Sequence, residues 1–453
     1  MRDIVLLAIL PFFIFAILKR PFIGLGLWIW TAMLNPNGWV YGAANSIRYN
    51  LLFAALTIGG YVASKQKGRL QLGTIGRLVI LFLAWTLLST FFAKSLPEVA
   101  WAEWIKLVKI ITLFLFIILI IDRKLHIDFF IWSLIFSVGF FAAVEGLKYI
   151  ASGGGHHIEG LAGHILQDNN QLALAFSMLL PFCFYLLSEY GKKSWIIKFA
   201  LLGLITLVVI AIIGTNSRGG LLALTSVGGY LFIKSKKKLL FSFLIICIGS
   251  ALVGLISDQW FARMDTIAQA DGDASFMGRV IAWKLSFILA SQSPIYGGGF
   301  KALEYFPVWS ALSQDFHQYS FFYSGNVFPD VARGHAAHSI YFQVLGDHGF
   351  VGLIIFVSIL VLSFFKAGSI AKIARNASGP EWIINLATML RLSIFTYAVG
   401  GAALSFAYFD MIYAIYALVI VLDYRFLPAI LKKNDNAHVG MSNNINQMNL
   451  TTN

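Results

Sequence analysis

The sequence predicts an all-α, polytopic integral membrane protein of about twelve transmembrane helices with one large outward segment. Three observations carry that prediction. The 453 residues are 58% hydrophobic and only 12% charged, and the apolar residues gather into runs about as long as a bilayer core of ~30 Å requires. Lys and Arg are concentrated in alternate short loops. The period-two alternation of an outer-membrane barrel is missing, so the spans are helices.

In chain order the apolar runs fall near 4–18, 22–34, 50–64, 76–93, 105–121, 127–150, 171–188, 195–213, 219–233, 239–256, 339–365, 384–404 and 407–424. The first two are short and meet at Lys19-Arg20-Pro21, so thirteen runs imply about twelve spans. The first run has neither a basic leader nor a small-residue cleavage site, and reads as a retained helix. The net charge of +13 has a topological explanation. Of the 34 Lys and Arg residues, 22 lie at 19–20, 65–77, 123–124, 192–198, 234–238, 366–391 and 425–433. The positive-inside rule makes those loops cytoplasmic, without any need for nucleic acid. Cys183 and Cys247 both lie in apolar runs, which excludes a disulfide framework and a zinc pattern. Residues 1–433 therefore read as one membrane domain that includes the outward segment 257–337. Residues 434–453 are Asn-rich without apolar periodicity and read as a disordered cytoplasmic tail.

Three outward segments are polar. Residues 152–170 hold His156, His157 and His164, whose spacing matches no zinc signature. The amide-rich run 167–171 that follows suits either a helix cap or a sugar. Residues 214–220 form a glycine-containing turn between two apolar runs. Arg218 there stands at the outer membrane edge, where an arginine snorkels, pairs or meets an anion. Residues 257–337 begin with Asp258, Arg263 and Asp265 and continue as an interfacial helix with Arg279 and Trp283 on one face. The segment breaks at Pro294 and Gly297-Gly298-Gly299. It ends in an aromatic stretch that suits a carbohydrate or the membrane interface.

Residues 333–352 close that segment and lead into the apolar run 353–365. His338 at this junction is anchored on a helix end yet open to a water-soluble reactant. Imidazole titrates near neutrality, so it suits proton removal from a hydroxyl; an interfacial cap is the other reading of the same residue.

With these motifs in view, the chain resembles the O-antigen ligase and O-antigen polymerase superfamily of bacterial inner-membrane glycosyltransferases, and most of all the exosortase-associated O-glycosylation ligases. The resemblance rests on Ser217-Arg218-Gly219, on Gly278-Arg279 with Trp283, Pro294 and Gly297-Gly298-Gly299, and on His338-Ser339-x-Tyr341-x-Gln343 with Gly349 and Gly352. Arg20-Pro21 and Asn35-Pro36 add to it, and it covers most of residues 1–425. It implies a GT-C-like helical fold, multi-pass in the bacterial inner membrane, with the segment 257–337 and the active site on the periplasmic face. It also implies transfer of a glycan from undecaprenyl diphosphate to an acceptor hydroxyl, on lipid A–core in the ligases or on protein Ser or Thr in the protein ligases. By motif, His338 is the implied catalytic residue and Arg218 and Arg279 engage the donor diphosphate. Arg333 and His335 are second choices for substrate binding.

The chemistry agrees with those residue types. Arginine's planar fork holds the charge developing on a diphosphate leaving group, and a neutral imidazole takes the acceptor's proton. The expected reaction is a single displacement with inversion, with Tyr341 and Gln343 orienting the substrate. Asp271-Gly272-Asp273 looks like a DxD pair for Mg²⁺ or Mn²⁺, but it lies among small residues, and two arginines would serve the same oxygens. No metal and no cofactor is therefore expected. The alternatives are a polysaccharide polymerase, a protein O-oligosaccharyltransferase and a lipid-linked glycan transporter. The apolar runs are nearly charge-free, with Lys106, Glu145, Lys148 and Asp410, all near run ends, as the main candidates, which favours an enzyme working at one face.

Overall fold

The computed structural model describes residues 2–65, 67–234, 238, 274–320, 322–323, 325 and 327–432. Outside them lie the apolar run 239–256 with Cys247, the acidic start of the outward segment from Asp258 to Asp273, and the tail 434–453. Among the described residues there are helices and turns and no strand. The main helices are α1 (Arg2–Lys19), α2 (Pro21–Leu34), α3 (Tyr49–Ala63), α4 (Gly73–Phe91) and α5 (Pro97–Ile120). Next come α6 (Lys124–Ala151), α7 (Asn169–Tyr190), α8 (Trp195–Gly214) and α9 (Arg218–Lys234). The remainder are α10 (Ala274–Gln292), α11 (Phe306–Gln314), α12 (Ile340–Asn376), α13 (Glu381–Ala403) and α14 (Asp410–Lys432).

Seven of these, α4, α6, α7, α8, α12, α13 and α14, are long and apolar enough to cross a membrane. The protein is thus an all-helical, multi-pass membrane protein. The other expected spans are helical where described but shorter or more charged. α2 and α3 have 14 and 15 residues, and α5, at 24 residues, carries Glu98, Glu103, Lys106 and Lys109.

The centre of the bundle is α7 with α14. Every residue of α7 from 172 to 183 is buried, and so is every residue of α14 from 411 to 422, as expected for helices apolar all round. α8, α9 and α13 pack on α7, while α4 and α5 pack on α14. α8 turns Trp195, Ile196 and Phe199 outward, a surface suited to lipid or its interface. Helix starts follow local chemistry. The Asp168 carboxylate accepts from the Asn170 and Gln171 amides at 2.9 and 3.2 Å, and Pro21 and Pro97 open α2 and α5. Asp128 accepts from Lys124, Tyr185 and Tyr190 at 2.6, 2.7 and 2.6 Å, which fastens α6 to the far end of α7.

One expected element is broken. The continuous apolar run 339–365 is interrupted at Gly349, whose φ of 69° and ψ of −171° lie outside the helical region. The reason is the loop at 297–299. Gly298 and Gly299 donate to the carbonyls of Gly346 and Asp347 (both 2.8 Å), and Phe350 donates to the Pro294 carbonyl at 2.9 Å. A Cβ on Gly349 would lie 2.6 Å from that same carbonyl, and one on Gly297 would lie 2.5 Å from the Gly349 nitrogen. The two glycine motifs are therefore one backbone-to-backbone joint. The aromatic stretch also departs from expectation: Trp309 and Phe316 are buried with Ile281, Leu285, Leu289 and Leu312 in a core of their own, rather than forming an open surface.

Candidate functional site

His338 precedes α12 in a left-handed conformation, φ 47°, uncommon for a residue with a side chain and worth about 1–3 kcal/mol of strain. It is held there by its backbone N–H, which donates to Ser405 Oγ at 2.8 Å. The loop between α13 and α14 that carries Ser405 is stitched to two other elements. Gln171 of α7 donates to the Ser405 carbonyl at 3.0 Å, and the Ala407 amide donates to Gln343 Oε1 at 3.1 Å. Among the described residues the His338 ring itself makes no hydrogen bond.

The ring faces a cavity of about 550 Å³. Its walls come from distant parts of the chain: Glu103, Lys106 and Lys109 of α5; His164, Asp168 and Gln171 at the head of α7; Lys301 and Glu304; His338 and Gln343; and Ser405, Tyr408 and Asp410. His338 is exposed to this cavity yet surrounded by protein. That enclosure lowers its pKa below the ordinary histidine value, the positive charge of Arg279 lowers it further, and Asp168 works in the opposite sense. The imidazole is thus neutral at neutral pH, the state a base needs.

Cations and carboxylates alternate along one wall. Lys106 pairs with Glu103 at 2.8 Å, and Lys301 lies 3.2 Å from Glu304 and 4.0 Å from Glu103. Burial opposes the Lys301 charge, but Glu304 and Glu103 outweigh it and raise its pKa. Beneath the floor, the buried Asp347 carboxylate accepts from Tyr408 Oη at 3.0 Å and from the Lys301 backbone N–H at 3.2 Å, which fixes two wall residues through one side chain.

Of the residues singled out by sequence, His338 and Gln343 line the cavity, whereas Arg218, Arg279, Arg333, His335 and Tyr341 do not. Arg279 is nonetheless close enough for its charge to act on His338. α10 packs on α12 through Trp283 stacked on Phe342, 5.3 Å apart, and Arg279 is one turn from Trp283. Arg218 is half-buried at the start of α9. Its turn is tied to the head of α7, because Ser217 donates to Asn170 Oδ1 at 2.7 Å and Asn169 donates to the Thr215 carbonyl at 2.8 Å. Arg333 and His335 both bind Asp330, at 3.3 and 2.9 Å. The Ala332 amide, His335 and Arg333 hold that carboxyl down at about 2. Tyr341 donates to the Ala398 carbonyl at 2.9 Å, so its hydroxyl ties α12 to α13.

The three histidines of the first loop go separate ways. His156 meets Glu145 at 2.7 Å, His157 meets Glu159 at 3.2 Å, and His164 donates to the Ala32 carbonyl at 2.8 Å. The run 167–171 caps α7 through Asp168, while Gln171 faces the cavity. Sequence reasoning missed Ser405, Tyr408, Lys109, Lys301 and Glu304 altogether. For Ser405, Tyr408 and Lys109 the only signal was polarity near the end of an apolar run, and Lys301 and Glu304 gave none.

Residues 1–191 match a family of unknown function (DUF5935), and residues 199–357 match the O-antigen ligase family. No curated protein matches the chain.

Proposed function

The chain carries, at residues 199–357, a domain of the O-antigen ligase superfamily, and from that premise we propose that it is an O-antigen ligase-type glycosyltransferase. It transfers a glycan from undecaprenyl diphosphate to a hydroxyl of lipid A–core at the periplasmic face of the bacterial inner membrane. The observation that carries this reading is His338: an imidazole without an internal hydrogen-bond partner among the described residues, held in a strained backbone conformation on a polar cavity.

In the reaction the His338 imidazole takes the acceptor's hydroxyl proton as the oxygen bonds to the anomeric carbon. The bond from that carbon to the donor phosphate breaks on the opposite side, so the configuration inverts. The diphosphate leaves with its negative charge met by Arg279 and Arg218, and no metal is required. Gln343, with Ser405 and Tyr408 beside it, offers the donors and acceptors that orient a sugar. Tyr341 acts from behind, setting α12 against α13. Arg333 and His335 position the segment leading into His338 through Asp330.

The cavity that holds His338 also holds Lys106 and Asp410. The other two span charges, Glu145 and Lys148, pair with each other at 2.7 Å, away from that cavity, so the span charges form no line across the bundle, which supports an enzyme over a transporter. The test is transfer by the purified protein in detergent, with a lipid-linked donor and no second compartment, comparing lipid A–core, protein and polysaccharide acceptors. His338→Ala is expected to lower kcat by about 10²–10⁴-fold with the protein still folded. Near-normal turnover in that variant would remove the base from this mechanism. Transfer to protein or to growing polysaccharide alone would reassign the acceptor.

A further inference from the structure

Beside the His338 cavity lies a second one, of about 320 Å³, formed wholly within the N-terminal region of unknown function. Its wall includes Trp28, Asn37, Arg48, Tyr49, Asn50 and Lys109, and it shares Asn50 and Lys109 with the first cavity. Two cations line it and no carboxylate does. Among the described residues neither the Arg48 guanidinium nor the Lys109 ammonium makes an ion pair or a hydrogen bond.

The wall is fixed by its own hydrogen bonds. The Asn37 amide donates to the carbonyls of Asn45 and Ile47 at 2.6 and 2.9 Å, pinning the loop that presents Arg48. Tyr49 donates to the Ala44 carbonyl at 2.9 Å. The Asn50 amide reaches the Trp28 carbonyl at 3.3 Å and Thr31 Oγ1 at 3.4 Å, joining α3 to α2.

The depth of Lys109 makes its charge informative. α5 packs against α4 and α14, both long enough to span, and residues 110–120 contain no charged side chain. About 17 Å of helix separates Lys109 from the end at Ile120, counting a ~1.5 Å rise per residue. That is roughly half the ~30 Å thickness of a hydrocarbon core. Lys109 is exposed and opens onto both cavities, and on the side of the second cavity no carboxylate faces it.

We propose that Arg48 and Lys109 bind the phosphate of a membrane lipid, which makes the N-terminal region a lipid-headgroup site opening onto the His338 cavity. A lipid suits the place better than free phosphate. Lys109 lies about half a hydrocarbon thickness from the end of α5 and Arg48 stands at the head of α3, Ala54 and the half-exposed Leu51 supply an apolar border, and a headgroup could then enter from the bilayer without crossing it. The site is separate from the donor clamp at Arg218 and Arg279 and does not depend on the role of His338.

The experiment is native mass spectrometry of the full-length protein in mild detergent, titrated with phosphatidylglycerol or with phosphatidylcholine. Phosphatidylglycerol is expected to bind wild type on the order of tenfold or more tighter than Arg48→Gln/Lys109→Gln. Arg48→Lys/Lys109→Arg is expected to keep most of that affinity, the weaker binding of phosphatidylcholine, whose phosphate charge is offset by its own choline, to fall less with the Gln pair than phosphatidylglycerol binding does, and millimolar inorganic phosphate to leave the adduct in place. Equal phosphatidylglycerol binding by wild type and the double Gln variant would overturn the site, and displacement by inorganic phosphate would overturn its lipid nature. Arg48→Gln alone, at an exposed residue, reads the same contrast should the double variant misfold. The measurement needs neither donor nor turnover, so its failure leaves the transferase reading untouched.

Discussion

His338 is held by its backbone and tuned by its neighbours, and those two influences can be tested separately. The Ser405 hydroxyl is the partner that keeps the strained backbone in place. Ser405→Ala is expected to lower kcat several-fold, since one hydrogen bond of about 1 kcal/mol then no longer opposes the strain. Substrate KM should change less, and a KM effect alone would argue against this positioning role. Arg279 lowers the His338 pKa, as enclosure does. The wild-type kcat/KM should therefore stay on its plateau at pH 7 and fall only below the ordinary histidine value of ~6.5. Removing the positive charge raises that pKa, so Arg279→Gln should move the acid limb to higher pH, apart from any loss in donor binding. A limb that stays put or moves down contradicts the closeness of the two residues. His338 was legible in the sequence as a titratable side chain at the edge of an apolar run, and Gln343 through the motif it shares with His338. Ser405, Lys301 and Lys109 were not, because each reaches the cavity only when segments far apart in the chain come together.

Among the elements, the helices were legible and their interruption was not. Apolar runs of spanning length became helices wherever they are described, since a backbone in lipid must satisfy its own hydrogen bonds. Nothing in the run 339–365 announces a break, because the break is imposed by a partner loop. Gly297, Gly349 and the Pro294 carbonyl meet with no room for a side chain. Gly349→Ala would place a Cβ against two carbonyl oxygens at φ 69°, costing about 1–3 kcal/mol from the backbone alone. It is expected to lower the thermal midpoint in detergent and to reduce turnover, because His338 and Gln343 ride on the segment before the break. Gly59→Ala in α3, where an added Cβ meets nothing within 4 Å, is the matched control and should leave both unchanged. Equal effects at the two glycines would mean that the joint does not position the site. The same joint explains why the triple glycine and the His338 motif, read separately in the sequence, belong to one device.

At the scale of the molecule, the charge pattern and the cavity make a joint statement about sidedness. The basic loops at 65–77, 123–124 and 192–198 follow or precede helix ends remote from His338, and positive loops stay in the cytoplasm. The cavity instead gathers the head of α7, the outer part of α5 and the junctions before α12 and α14. In the proposed reaction, donor and acceptor would therefore meet on the face away from the basic loops. The Lys and Arg spacing is the basis of that expectation; the packing order, in which α7 and α14 take the centre, was not legible, because their apolar runs look like the others. Two cysteines report the sidedness directly. Ser310 is exposed on α11, and Lys67 is exposed in the basic loop between α3 and α4. Cys183 is buried and Cys247 lies in an apolar run, so both are best replaced by Ala to give a clean background. A membrane-impermeant maleimide should then label Ser310→Cys in cells whose inner membrane is intact, and label Lys67→Cys only after that membrane is opened. The reverse pattern would place His338 on the cytoplasmic side and defeat the proposed reaction. Labelling of both in intact cells would instead indicate a reagent that crosses the membrane, so a Lys67→Cys signal blocked by intact membranes is the condition on which the reading rests.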